Sequence, residues 1–492
     1  MIAKRLDSII ENLKKALNKE LNNNNYENAL RIINTTANIL YSTNYYYRDD
    51  DLEDALKIVS EHLCHADDNY KSDKEKVIFY DGFGLNSRGL VQIYLKALCK
   101  IKKVVYVTYD RAYGAIPDVK RILEENDGEA LFIKSHGNHI EMIDELVGII
   151  NSKTPEHFFF YSTPDAVVAT TTMHAFEGKI KRYQINLTDH AFWLGAAPID
   201  ICVDFREYGA SISRDYRRIP ESKIVCVPYY PIINENEPFE GYPFEMKPSN
   251  RIVFSGGALY KTLGENNKYY EIVDYILRNY QDVIFWYAGN GDSRELDKII
   301  DRYPNRAYHT GERKDLYQVI KKSYLYLSTY PLCGGLMFQY AAKAGRIPIT
   351  LKNGDVTEGF LVNQSSLGIE FDSLEDLYRE IDRLLLDTCY HEEKEKLVRK
   401  AVIRSDRFDS LVKELVDGEY ESLQHITYKL VDTVAFRRVY LKEMTTTKLY
   451  ELIATRRNAM LLKSMPEVFL CGMFIKLTKR IRNSLKNQGG FQ

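Results

Sequence analysis

A pair of glycines beside a predicted helix is the feature of this sequence best suited to chemistry. An apolar, β-prone segment at 325–330 ends at Pro331, and Gly334 and Gly335 then precede an alanine-rich helical run that begins near Leu336. Glycines let the backbone approach a ligand closely, and the start of a helix offers free N–H groups and a positive dipole end. The arrangement suits a phosphate or a carboxylate, although a tight turn between strand and helix has the same sequence pattern.

Three further predicted strands in this half of the chain also end in glycine. They run into SGGALYK at 255–261, AGNGD at 288–292 and HTGER at 309–313. Because the carboxyl ends of parallel strands meet at one edge of a sheet, these segments should line one cleft with PLCGG at 331–335. Lys261 and Arg313 add cations there, which suits a phosphorylated ligand. None of the segments has the spacing of a dinucleotide fingerprint or a P-loop.

The elements that must position these residues are alternating strands and helices. Short β-rich runs lie at 77–80, 104–109, 158–163, 183–187, 200–205 and 223–230, and helical patterns separate several of them. Such alternation predicts a parallel sheet with helices on both faces. A second series, from RIVFSGG to GIEF, follows a segment at 228–250 that holds five of the fourteen prolines and reads as a linker.

The fold class is therefore α/β, with two doubly wound, Rossmann-like domains that face a cleft and helical extensions at both ends. We expect a helical region at 1–75, a first doubly wound domain at 76–235, a second, ligand-binding domain at 236–415 and helices at 416–492. The acidic run DDDLED at 49–54 reads as a water-exposed helix start rather than a metal site.

Bulk properties exclude several classes of protein. The chain has 492 residues, 45% of them hydrophobic, and a net charge of -2, which argues against a nucleic-acid partner. Its seven cysteines are scattered without a CxxC pair, as in a cytoplasmic protein with reduced thiols. The first twenty residues form an amphipathic pattern rather than a signal peptide, and no apolar run approaches the length of a membrane span.

Over roughly 76–415 the sequence resembles the GT-B glycosyltransferases, and among them O-GlcNAc transferase and its bacterial relatives. PLCGG is similar to the family's Pro-Leu-Cys-Asn-Gly, and ALYK at 258–261 to its Leu-Tyr-Lys. AFWLG at 191–195 resembles Met-Trp-Leu-Gly, and DGFGLNSRGL at 81–90 resembles the loop after the first strand. The chain differs at Asn86, where the family has histidine, at Leu336 and Met337, where it has polar residues, and at Gln339, where many members have glutamate.

The resemblance implies a nucleotide-sugar substrate, most plausibly a UDP-sugar, with no separate cofactor and no metal. Lys261 and the dipole of the helix would neutralise the leaving diphosphate in place of a metal ion. The residues expected to bind the donor are Gly256, Gly257, Lys261, Gly289, Gly311, Glu312, Arg313, Gly334, Gly335, Leu336, Met337 and Gln339.

On the acceptor side a base is needed, and Asp189 with His190 is the first candidate, although such a pair is often structural. Lys261 completes the expected catalytic set. Acceptor contacts are expected from Gly84, Asn86, Arg88, His136 and His139, while Arg88 could equally be a surface cation at a helix start.

The C-terminal segment 467–488 is a basic amphipathic pattern with two interpretations. It could lie on an anionic membrane surface at the inner face of the membrane, or it could pack its apolar side on the body of the protein. Together with the resemblance to the GT-B glycosyltransferases, which alone implies inversion, the sequence favours an inverting, metal-independent hexosyl- or N-acetylhexosaminyltransferase in bacterial polysaccharide assembly, with a glycan or lipid-linked glycan as acceptor. A protein glycosyltransferase, a sugar-nucleotide epimerase and a non-catalytic scaffold remain alternatives.

Overall fold

The computed structural model describes residues 2–86, 89–354 and 357–488. Within these ranges the chain forms two parallel sheets, and helices precede the first sheet and follow the second. Three helices form the N-terminal region: α1 (Ile2–Asn22), α2 (Tyr26–Thr43) and α3 (Asp50–Leu63).

The first sheet has seven parallel strands in the order β3-β2-β1-β4-β5-β6-β7 among the described residues. The strands are β1 (Asp73–Asp81), β2 (Lys103–Tyr109), β3 (Glu129–Ile133), β4 (Pro155–Tyr161), β5 (Lys181–Ile185), β6 (Ile201–Asp204) and β7 (Ile224–Cys226). The helices of this domain are α4 (Gly89–Leu98), α5 (Pro117–Glu125), α6 (His139–Lys153), α7 (Val167–Ala175) and α8 (Glu207–Asp215). Every predicted strand is present, and β3 is an additional edge strand whose residues are mostly half-buried, so its apolar pattern is weak.

The second sheet has the order β10-β9-β8-β11-β12-β13 over the residues described. Its strands are β8 (Arg251–Gly256), β9 (Val283–Ala288), β10 (Ala307–Thr310), β11 (Leu325–Leu327), β12 (Ile347–Leu351) and β13 (Glu370–Phe371). They alternate with α9 (Lys268–Asn279), α10 (Arg294–Arg302), α11 (Leu316–Lys321) and α12 (Gly335–Lys343), and α13 (Leu374–Leu386) and α14 (Thr388–Lys400) complete the layer. This confirms the predicted α/β class with two doubly wound domains.

The last part of the chain returns to the first domain. It consists of α15 (Ser405–Asp417), α16 (Thr433–Glu443), α17 (Thr446–Ile453), α18 (Leu461–Ser464) and α19 (Pro466–Gln488). Helix α15 packs Phe408, Leu411 and Leu415 into the core beneath the first sheet. The chain therefore leaves the second domain before α15, earlier than the expected boundary at 415.

The acidic run at 49–54 begins a helix as predicted, but part of it is not water-exposed. Asp49 is the N-cap of α3 and accepts a hydrogen bond from the Leu52 amide. Asp49 and Glu53 are both buried, and the Glu53 carboxylate accepts hydrogen bonds from the amides of Gly195, Ala196 and Ala197. The expectation failed for these two residues because Asp49 also pairs with Lys14 of α1, at 2.6 Å, and Glu53 pairs with residues about 140 positions later.

Candidate functional site

The site lies where the strand order of the second sheet reverses. The chain runs from β8 outward to β9 and β10, and then crosses back to place β11 on the other side of β8. The loops after β8 and β11 separate at this point and leave a crevice at the carboxyl ends of the strands. These loops carry Lys261 and the Gly334–Gly335 pair, so the topology brings together the residues that the sequence selected.

Lys261 reaches toward the paired glycines across this crevice. It sits in a short 3₁₀ turn, and its carbonyl oxygen accepts a hydrogen bond of 3.3 Å from the amide of Leu332, just before the glycines. Its Nζ lies 3.8 Å from the point that a Cβ on Gly334 would occupy. Burial lowers the pKa of Lys261.

The side-chain ammonium of Lys261 has no hydrogen-bond or ion-pair partner among the residues that the structure describes. The titratable group that acts on the pKa of Lys261 is Cys333, and burial raises the pKa of that thiol to about 11, so it stays neutral. A half-buried ammonium without a partner is costly, because a buried charge is normally paired. An anion in the crevice would supply the missing charge.

The two glycines have different surroundings at the start of α12. Gly334 is the N-cap, and no side chain caps the helix there. A Cβ on Gly334 would meet only Met337 and Lys261 at 3.7 and 3.8 Å, which is ordinary contact. A Cβ on Gly335 would lie 2.2 Å from the Phe360 ring. Gly335 is therefore required by packing, whereas Gly334 leaves space in front of the ammonium.

The Asp189–His190 pair lies after β5 in the first domain. The Asp189 carboxylate is buried and ion-paired with Arg206, with N–O distances of 2.5 and 3.1 Å. Burial alone would raise the pKa of Asp189, but the charge of Arg206 outweighs it and holds the pKa at about 2. His190 Nδ1 lies 3.3 Å from the Asp189 carboxylate, and its side chain is 29% exposed. Asp189 is thus an orienting group, and His190 is the member of the pair that can act as a base.

Arg217 shapes the loop that carries this pair. Its buried guanidinium donates hydrogen bonds to the carbonyl oxygens of Thr188, Asp189 and Ala191. Sequence patterns did not single out Arg206 or Arg217, because their partners are set by the tertiary fold rather than by spacing.

Comparison with known proteins identifies the fold of this chain. No family model matches the chain, and no curated protein matches it either. A mutant of O-GlcNAc transferase from Thermobaculum terrenum is similar over 84% of this chain and 78% of its own, with 14% identity and a TM-score of 0.51. A glycosyltransferase from Rickettsia africae is similar over 71% of this chain and 99% of its own, with 10% identity and a TM-score of 0.51. This chain has the GT-B fold.

Because the sequence identities are low, the similarity establishes only the GT-B fold, and the chemistry depends on the residues of the site. A UDP-GlcNAc 2-epimerase from Neisseria meningitidis is similar over 70% of this chain and all of its own, with 13% identity. Its TM-score of 0.46 is too low to support an inference.

The other glycines that were expected to bind the donor allow loops of the second domain to pack closely against each other. Gly289 lies so close to the loop after β8 that a Cβ there would be 1.9 Å from the carbonyl oxygen of Gly257. A Cβ on Gly256 would lie 3.0 Å from the carbonyl oxygen of Ala288. Gly311 approaches only Asn290, and Glu312 is exposed. These glycines allow the loops after β8 and β9 to touch.

Arg313 and Gln339 contact the protein itself. Arg313 forms a two-pronged ion pair with the buried Asp315 and donates to the carbonyl oxygen of Gly241. The Gln339 amide donates to the carbonyl oxygens of Tyr229 and Phe360, at 3.0 Å each. Arg313 and Gln339 therefore both fix the linker between the domains, and Gln339 also fixes the loop after β12.

Leu336 and Met337 occupy the first turn of α12, where polar side chains would have been ligand contacts. Leu336 is 43% exposed at the edge of a cavity of about 440 Å³ between the domains. Met337 packs against Gly334 and Gly256. At these two positions only the backbone amides can bind an anion.

The expected acceptor residues divide into two groups. Gly84 and Asn86 lie in the loop after β1. The Asp81 carboxylate holds this loop by accepting a hydrogen bond from the Gly84 amide. Asn86 forms two hydrogen bonds with Asp118, one as donor and one as acceptor. Asn86 lines the 440 Å³ cavity together with the tyrosines Tyr161, Tyr229, Tyr230, Tyr317 and Tyr340. Arg88 lies outside the described residues.

His136 lies in the loop before α6, and His139 is the first residue of that helix, where it faces α2. The His139 amide and imidazole both contact the Glu27 carboxylate of α2, and the carbonyl oxygen of Gly137, between the two histidines, accepts from Arg31. The structure therefore brings Lys261 and the paired glycines together, and it sets His139 and the Gly137 carbonyl against α2.

Proposed function

We propose that this protein is a glycosyltransferase that uses a nucleoside-diphosphate sugar, with a UDP-sugar as the favoured donor. The observation that carries the proposal is the half-buried Lys261 ammonium, without a partner in the described chain, facing Gly334 at the uncapped start of α12. A diphosphate would meet a cation on one side and free backbone N–H groups on the other.

The same arrangement favours the transition state of sugar transfer. As the bond between the anomeric carbon and the diphosphate oxygen breaks, negative charge builds on the diphosphate. Lys261 and the N–H groups of α12 stabilise that charge more than the charge of the bound donor. A lysine and a helix dipole in these positions supply the stabilisation that a metal ion would otherwise give.

On the acceptor side, His190 is the proposed base. It takes the proton of the acceptor hydroxyl as the oxygen bonds to the anomeric carbon from the face opposite the leaving group, which inverts the configuration. Asp189 stays ionised because of Arg206, and it orients the His190 ring through Nδ1. A hexosyl or N-acetylhexosaminyl group is the proposed cargo.

The proposed acceptor is a glycan or a lipid-linked glycan in bacterial polysaccharide assembly, at the cytoplasmic face of the membrane. The tyrosine-lined cavity between the domains supports a carbohydrate acceptor, because aromatic rings with neighbouring amide and carboxylate groups suit sugar rings. A protein acceptor, sugar-nucleotide epimerisation and a scaffold role are the alternatives that experiment must separate.

Binding of nucleotides tests the donor site directly. UDP, GDP, CDP and dTDP are titrated calorimetrically in EDTA into the wild type, Lys261→Ala and the control Lys298→Ala, whose lysine pairs with Glu295 on α10. We expect one nucleotide to bind, and Lys261→Ala to weaken it about 10- to 100-fold, the size of a charge-assisted hydrogen bond. Lys298→Ala should bind as the wild type does. Absence of binding by any of the four would remove the donor site.

Turnover of the sugar nucleotide distinguishes transfer from epimerisation. His190→Gln should abolish transfer and retain nucleotide binding, because His190 belongs to the acceptor half of the mechanism. Conversion of the donor into a second sugar nucleotide without any acceptor would favour the epimerase. If the nucleotide binds but the wild type turns over no sugar nucleotide, the scaffold is favoured.

A further inference from the structure

Helix α19 carries two separate apolar faces. One face packs into the core shared with α1 and α2, where Phe469 is buried and Met473 and Ile475 are half-buried. The other face consists of Leu470, Phe474, Leu477 and Ile481, which we call the exposed stripe. Their exposed fractions are 58%, 67%, 57% and 52%. Packing on the body of the protein therefore accounts for only one of the two faces.

The spacing of the exposed stripe makes it one continuous surface. Its four members follow one another at intervals of four, three and four residues, which places them on one side of a helix. Exposed apolar residues that stand alone are ordinary on protein surfaces, whereas a contiguous row marks an interaction site. Leu386, at the end of α13, is more exposed at 74% but has no such row beside it on its own helix.

The charge of α19 identifies the kind of partner. The helix has one acidic residue, Glu467, against five basic ones, although the whole chain has a net charge of -2. Lys479 pairs with Glu451 at 2.7 Å. Arg480, three residues after Leu477, flanks the exposed stripe and has no ion-pair partner within the described part of the chain, whereas Lys476 is half-buried on the side of Phe469 and Met473. A row of apolar side chains with a cation beside it, on a helix of net positive charge, matches the boundary between the acyl chains and the headgroups of an anionic bilayer.

We propose that the exposed stripe docks on an anionic membrane surface, with its four side chains at the acyl-chain boundary and Arg480 at the lipid phosphates. Among the described residues no helix is long and apolar enough to cross a bilayer. Because the opposite face of α19 is fixed in the core of the first domain, docking holds that domain at the surface. This deepens the proposed function by naming a lipid surface as the partner of a transferase with a lipid-linked acceptor, but the docking itself does not depend on the donor site.

Flotation of the full chain with vesicles tests the proposal. The vesicles are phosphatidylcholine alone, or phosphatidylcholine with phosphatidylglycerol as the anionic lipid. We expect the wild type to bind the anionic vesicles and to be released by high salt. The double variant Phe474→Asp with Leu477→Asp should lower the partition coefficient at least about tenfold, because charge is then placed at the apolar boundary. Leu386→Asp is the matched control and should bind as the wild type does.

Three outcomes would overturn the proposal. The wild type could fail to bind anionic vesicles, the double variant could bind as well as the wild type, or light scattering could show a dimer that the double variant dissociates. The last result would assign the exposed stripe to a second copy of the chain. Thermal denaturation and nucleotide titration of the double variant should match the wild type, so a defect in docking is distinguished from misfolding and from failure of the donor site.

Discussion

At the scale of single residues, the two adjacent glycines should respond differently to the same substitution. Gly334→Ala should leave the melting temperature nearly unchanged, because its Cβ meets only ordinary contacts, but it should weaken nucleotide binding by narrowing the space before Lys261. Gly335→Ala should lower the melting temperature, because its Cβ would collide with the Phe360 ring and overpacking costs about 1–3 kcal/mol. Thermal denaturation and UDP titration of both variants measure this. Equal effects of the two substitutions would contradict separate roles.

The Asp189–Arg206 ion pair should make the protein sensitive to acid. The pKa of Asp189 is about 2 in the folded chain and 3.8 in its ordinary state, so the folded state binds the proton less readily. The stabilisation, about 2 kcal/mol, is fully present above pH 4 and is lost as the pH falls toward 2. Urea denaturation from pH 5 to pH 2.5 should show this loss in the wild type. The Asp189→Asn variant should be less stable at every pH, but its free energy of unfolding should fall less steeply as the pH is lowered. If the free energies of the wild type and the variant fell in parallel, the acid sensitivity would not come from Asp189.

The sequence was informative about some of these residues because their signal is local. Lys261 and the paired glycines were found because each directly follows a predicted strand, and strand ends converge in a doubly wound sheet. Arg313 was also found in this way, yet it pairs with Asp315 and the linker. Which way a side chain points depends on neighbours that are distant in sequence, and spacing alone does not reveal them.

At the scale of elements, α3 supports the loop that leads away from the Asp189–His190 pair. The Glu53 carboxylate on α3 is the acceptor for three consecutive amides at 195–197. Glu53→Ala should lower the free energy of unfolding by at least about 2 kcal/mol, because it leaves the buried amides of Gly195 and Ala196 unpaired. Glu61→Ala, on an exposed position of the same helix, is the control and should change it little. Chemical denaturation compares the two, and similar values would contradict the capping role.

The element scale also shows where periodicity succeeds. The strands of both sheets were predictable because buried parallel strands are short, continuous apolar runs. Strand β3 was missed because only Ile133 within it is fully buried. The run at 49–54 was recognised as a helix start from its acidic residues, but the burial of Glu53 follows from a contact with residues about 140 positions later.

At the scale of the whole molecule, the two sheets differ in how they are completed. Among the described residues, the core of the second domain is built from residues between 239 and 402, and the aromatic residues of the linker pack against it. One core of the first domain includes side chains from α1, α2 and α3 and from α17 to α19. A second core beneath the same sheet includes α15. Neither terminal region is therefore a detachable arm, because each covers apolar surface of the first sheet.

This asymmetry predicts that the two domains differ in their ability to fold alone. A fragment covering 236–404 should fold cooperatively and bind the nucleotide with reduced affinity, because its core and Lys261 are complete within it. A fragment covering 66–235 should fail to fold, because it lacks the helices that bury Ile78, Tyr80 and Phe159 from both ends of the chain. Near-ultraviolet circular dichroism and urea denaturation measure this. A cooperative transition in the fragment 66–235 would show that the terminal helices are accessory, and its absence in the fragment 236–404 would show that the second domain depends on the first.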